Sequence, residues 1–155
     1  MNPDKKIRRL QSLLYTSGVG CILFSLWSGI RGIEFAYTFT HQAMPSSDGV
    51  IMDESLTMIV GIVIFVTVFI SIAWNLYIGR KAILASLNKK TGNLYIVLAI
   101  FVLLTSVISY LSDFVTRPPS EWFQTDDIIM AMINLTSNII LAEVIVYSIL
   151  LKKMR

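Results

Sequence analysis

A single cysteine, Cys21, excludes an intramolecular disulfide, and its place inside an apolar run leaves every loop unstapled. One histidine, His41, rules out an HExxH zinc motif, and no serine nucleophile with a histidine partner is recognisable. A cysteine pair for disulfide exchange and a glycine-rich phosphate loop are missing too, as are the repeated arginines of a voltage sensor. Charge is scarce, at 15% of the chain against about 25% in an ordinary soluble domain. These absences leave no enzyme class indicated, so a non-enzymatic chain without cofactor or metal is expected.

What remains is apolar. Hydrophobic residues make up 55% of the 155, and the mean hydropathy is +0.69. Four runs, residues 11–33, 56–78, 94–111 and 128–151, approach or exceed the roughly 20 helical residues that cross a hydrocarbon core of about 30 Å. They are continuous rather than alternating, which argues for helices over barrel strands. The expected fold is an all-α integral membrane protein, a four-helix transmembrane bundle forming one domain over residues 1–155. The first run follows a basic stretch, but it exceeds a signal-peptide core in length and is expected to be retained.

Charge segregates by loop. Lys5, Lys6, Arg8, Arg9, Arg80, Lys81, Lys89, Lys90, Lys152, Lys153 and Arg155 flank one side of the runs. Glu34, Asp48, Asp53, Glu54, Asp113, Glu121, Asp126 and Asp127 flank the other, with Arg31 and Arg117. By the positive-inside rule both termini are cytoplasmic. The net charge of +3 then belongs at a membrane surface, facing anionic headgroups, and no nucleic-acid binding is expected.

The connecting segments are short. "GRKAILASLNKKTGN", from Gly79, is expected to be a tight connector or small interfacial helix. His41 with Asp48, Asp53 and Glu54 matches no established metal spacing and reads as a solvated acidic loop. In the second outer segment Pro118 and Pro119 block helix, Trp122 and Phe123 suit an interface, and Thr125 or Asp126 would cap the last helix. The outer-loop cysteines of tetraspanin-like and claudin-like proteins are missing, and small multidrug transporters carry their essential acid within the first span, whereas Glu34 here is at its outer edge.

Spacing predicts how the helices meet. Ser17, Cys21, Ser25 and Gly29 form a small-residue stripe that allows close backbone approach. Thr67, Ser71 and Asn75 in the second run and Thr105, Ser109 and Ser112 in the third are expected to turn inward, as hydrogen-bonding adhesive or as the lining of a hydrated path. The fourth run has two polar sides: Asn134, Ser137, Asn138 and Ser148 form a packing side, with Thr136, Glu143 and Tyr147 roughly opposite. Two such sides call for a neighbour beyond the monomer, hence a homo-oligomer.

Glu143 is the one carboxylate inside a run, eight residues before Leu151 and so about 12 Å from the end of its helix. Intramembrane acids are functional by default. Asn75 and one of Tyr15, Ser17 or Cys21 are expected at its depth. Glu143 could join helices, serve a transport path, or meet another subunit.

Missing chemistry and a short, basic inner face together predict an oligomeric membrane subunit. It would sense a membrane or envelope event and anchor or signal to a soluble cytoplasmic partner, as in bacterial signalling or phage-defence systems, from the bacterial inner membrane. Arg80, Lys81, Lys89 and Lys90 would contact that partner or lipid. The alternative is a small oligomeric ion channel or proton-coupled transporter using Glu143, Thr136, Tyr147 and Asn75.

Overall fold

The computed structural model describes residues 3–42, 54–116 and 125–154, which form α1 (Pro3–Gln42), α2 (Glu54–Ser86), α3 (Leu94–Thr116) and α4 (Thr125–Lys153). No strand occurs among the described residues. Each helix contains a segment long and apolar enough to cross a membrane: Asp4–Glu34, Met58–Ser86, Leu94–Ser112 and Ala131–Lys153.

The helices outrun the apolar stretches that nucleate them. α1 has 40 residues, about 60 Å of helix, twice the thickness of a hydrocarbon core. His41 is therefore in the last turn of α1 rather than in a loop. α2 continues without a break through Gly79, Arg80 and Lys81 to Ser86, where the sequence predicts a connector or separate helix. Nothing in "GRKAILAS" stops a helix: glycine is its only weak former, and Ala82, Leu84 and Ala85 carry the apolar pattern onward. Asp48, Asp53, Pro118, Pro119, Trp122 and Phe123 lie outside the described residues.

α1 packs on α2 and α4, α3 packs on the same two, and α1 and α3 stand diagonally apart; the α1–α2 contact is the most extensive. The core gathers toward the basic end. Leu10, Leu14, Ile78, Ala82, Ala85, Tyr95, Ala99, Leu141, Val144 and Leu151 are all buried. Toward the opposite end the large side chains face outward: Phe69 is 65% exposed and Ile108 64%. Contiguous apolar surface on this scale is consistent with a membrane protein.

The closest approach is between α1 and α2. A Cβ on Gly79 would stand 2.7 Å from the backbone oxygen of Gly18, and one on Gly18 would stand 3.0 Å from that of Gly79. Only hydrogen fits between these two backbones, which is the physical content of a small-residue crossing. Further along, Trp74 of α2 meets Phe101 of α3 edge-on, with ring centroids 5.8 Å apart.

The polar stripes do not all turn inward. Thr67, Thr105, Ser109, Ser112 and Thr136 are exposed. Thr67 Oγ1 donates to Val63 O at 2.8 Å, Thr105 Oγ1 to Phe101 O at 3.0 Å and Thr136 Oγ1 to Met132 O at 2.8 Å. A threonine that returns its hydrogen bond to its own preceding turn needs no partner helix, so spacing alone cannot orient it.

Candidate functional site

Ser17, Cys21, Ser25 and Gly29 are all buried on α1 and divide their contacts between two neighbours. Ser25 Oγ donates to Ile72 O of α2 at 3.0 Å, and the same Ile72 covers Gly29. Ser17 turns to α4, where its hydroxyl donates to Glu143 Oε2 at 2.7 Å. Glu143 is half-buried, so its neighbour is α1 of the same chain. Of the three α1 groups expected at its depth, Ser17 is the one that meets it.

The side chains grouped with Glu143 by spacing separate in the structure. Thr136 is exposed, while Tyr147 is half-buried against the core. The buried stripe of α4 is Leu141, Val144, Ser148 and Leu151, with Glu143 on its α1 flank. Asn134, expected to pack, is exposed, and Asn138 is half-buried. The reason is position along α4, not helical phase: Asn134 shares the face of Leu141, two turns away, but lies toward the end where Met132 and Leu135 are exposed as well.

One residue along α1 from Ser17, Gly18 packs on Gly79, and Arg80 and Lys81 follow directly. Measured along α1, Glu143 therefore lies level with the first basic pair of α2. The carboxylate is much nearer the charged boundary than its distance from the end of α4 implied, because α4 itself extends past that boundary.

On the other side of Ser17, Cys21, Ser25, Ser28, Asn75, Ser137 and Leu141 line a cleft of about 50 Å3 between α1, α2 and α4. Asn75 Nδ2 donates to Ser71 O at 3.0 Å, which fixes which end of the amide is nitrogen.

The basic end is tied together by bonds between different elements. α2 ends in a Schellman motif: Asn88 has φ 62°, Asn88 N donates to Ala85 O at 3.2 Å and Lys89 N to Leu84 O at 3.1 Å. Gln11 Nε2 of α1 donates to Asn88 Oδ1 at 2.9 Å. From α4, Lys152 Nζ donates to Asn93 Oδ1 and, at 3.3 Å, to Gly92 O, and lies 5.4 Å from the centroid of the Tyr95 ring. Lys152 is thus a strut between α4 and the α2–α3 turn. Lys81 is half-buried, its Nζ 5.6 Å from the Tyr77 ring centroid, whereas Arg80, Lys89 and Lys90 are exposed. Lys5, Lys6, Arg8 and Arg9 on the first turns of α1 are exposed as well.

Gly79, Gln11, Asn88 and Lys152 escaped the reading by spacing. Asn88 did carry a signal, since asparagine ahead of "KKTG" marks a helix C-terminus. The Gly18–Gly79 pairing had none, because it depends on the register of two helices far apart in sequence. No known protein family, curated protein or solved structure matches the chain.

Proposed function

We propose that this chain is a non-enzymatic membrane subunit whose bundle holds a basic platform in place for a soluble, acidic cytoplasmic partner, so that events in the membrane are sensed or a complex is anchored there. The observation that carries this reading is the cross-tied basic end. Gln11 secures α1 to the cap of α2, and Lys152 secures α4 to the turn before α3, while Arg80, Lys89 and Lys90 stay exposed. Fixed positive charges on a preorganised surface favour an acidic partner by steering its approach and lowering the ordering cost of binding. Cytoplasmic termini follow from the same charges, and a bacterial inner membrane fits the unstapled, short loops. Assembly into a homo-oligomer draws on Asn134, a carboxamide that the four helices leave exposed.

The test is purification of the intact protein from its native membrane, with and without Arg80→Gln, Lys89→Gln and Lys90→Gln together. A soluble protein that co-purifies with the parent and is lost from the charge-neutralised variant supports the platform; its retention by the variant refutes it.

A second reading, a small ion channel or proton-coupled transporter, is favoured by one feature: the polar cleft one turn from Glu143. Proton or cation flux through the purified protein in liposomes, abolished by Glu143→Gln, would replace the anchoring reading with this one.

A further inference from the structure

The cleft between α1, α2 and α4 has an unusual balance of hydrogen-bonding groups for a site among apolar spans. Its two strongest donors are already committed: the Ser25 hydroxyl to Ile72 O and the Asn75 Nδ2 to Ser71 O. Ser25 Oγ and Asn75 Oδ1 thereby remain as acceptors, and among the described residues no donor meets either. Ser28 and Ser137 add hydroxyls, and Cys21 adds a thiol that is only 4% exposed. No side chain with a formal charge lines the space, so the fitting ligand is small, neutral and able to donate hydrogen bonds. A water needs about 10–15 Å3 and two to four polar partners. At about 50 Å3 the cleft has room for more than one.

The cleft has a floor and an open side. Toward the basic end the same three helices are closely packed: Leu14, Ile78 and Val144 are each 0% exposed, and the adjoining polar pair, Ser17 and Glu143, is bonded to itself. In the other direction α1 and α2 stay in contact through Gly32 and Val68, but Ser28, which lines the cleft, is exposed, and on α4 Leu135 and Thr136 face outward, so the cleft is uncovered on that side.

We propose that this cleft is a water-binding site reached from the end of the bundle opposite the basic platform, and that it brings solvent to the Cys21 thiol. Cys21, the chain's one cysteine, reports on the site directly. Silver ion, small and charged, displaces the thiol proton to form a silver thiolate where water reaches sulfur. Thiol left unreacted is then counted with a fluorescent maleimide after denaturation.

The intact protein in sealed liposomes is exposed to external silver, and external trypsin, cutting at Lys89 and Lys90, identifies the molecules whose basic end faces out. Silver is expected to block Cys21 in the trypsin-protected molecules and to leave it free in the cleaved ones. A thiol untouched in both orientations means a dry cleft; equal block in both means the packing toward the basic end is no barrier. Either result overturns the proposal. In a Cys21→Ser background, Leu23→Cys places a thiol on a side chain position 60% exposed on the outer face of α1, and it should react severalfold more slowly from either side. Ser137→Leu, which fills the cleft, should slow the block of Cys21 severalfold. Equal rates at position 23, or no effect of filling, would also overturn the assignment.

Discussion

Ser17 Oγ donates to Glu143 Oε2 across 2.7 Å, joining residues 126 positions apart and clasping α4 to α1. The carboxylate thereby gains a partner within its own chain, and the same α1 turn presents Gly18 to Gly79 on the opposite neighbour. One turn of one helix thus positions both of its partners.

That clasp is expected to contribute on the order of 1 kcal/mol, the usual scale for a hydrogen bond between membrane helices. Ser17→Ala and Glu143→Leu should each destabilise the bundle, and the double variant should cost about 1 kcal/mol less than the sum of the two. Glu143→Gln retains an acceptor oxygen and should lie close to the parent. Thermal or denaturant unfolding in detergent micelles would decide the matter, with strict additivity of the two single changes counting against the bond.

The Gly18–Gly79 crossing predicts a sharper loss. Alanine at position 79 directs its methyl group at the Gly18 backbone oxygen, 2.7 Å away, and at Ile22 Cγ1, 2.8 Å away. Backbone cannot yield as a side chain does, so α1 and α2 must separate, at a cost of about 1–3 kcal/mol despite the better helix propensity of alanine. Gly92→Ala is the matched control: a Cβ there meets nothing within 4 Å, and its effect should stay within about 0.5 kcal/mol. Comparable melting of the two variants would show that the crossing is not close.

Much of this architecture is legible in the sequence. Runs of about 20 apolar residues make helices because lipid leaves the backbone no other partners, and four helices result. The small stripe Ser17, Cys21, Ser25 and Gly29 is buried because small residues alone allow neighbouring backbones so near. Thr67, Thr105 and Thr136 misled by the same logic, since a hydroxyl satisfied by its own helix gives no clue to direction. Glu143 stands out in the sequence as the one carboxylate inside a run, but its surroundings depend on register between α1 and α4. Register is set by Leu14, Leu141 and Val144 filling one core, which no local pattern encodes.

Lys152 offers a test of the basic end. Replacing it with methionine keeps an unbranched stem but removes the ammonium that holds Asn93 Oδ1 and Gly92 O and lies over the Tyr95 ring. The turn from Leu87 to Asn93 should then open more often, and trypsin should cut at Lys89 and Lys90 severalfold faster. Mass spectrometry of the first fragments would show it. Unchanged cleavage at those two lysines would mean that the strut does not restrain the turn.

Asn88 separates two roles that a single residue combines. Its backbone, at φ 62°, closes the Schellman motif, and its side-chain oxygen accepts from Gln11 Nε2 at 2.9 Å. Glycine adopts that φ without cost, whereas a β-branched residue is strained there by about 1–2 kcal/mol. Asn88→Gly should therefore preserve the cap and lose only the tie to α1, leaving the melting temperature nearly unchanged while amide exchange in the first turns of α1 quickens. Asn88→Val should lose both, with a lower melting temperature and faster exchange at the end of α2 as well. If glycine destabilises as much as valine, the Gln11 bond outweighs the backbone geometry; if neither quickens exchange in α1, that bond does not hold the helix.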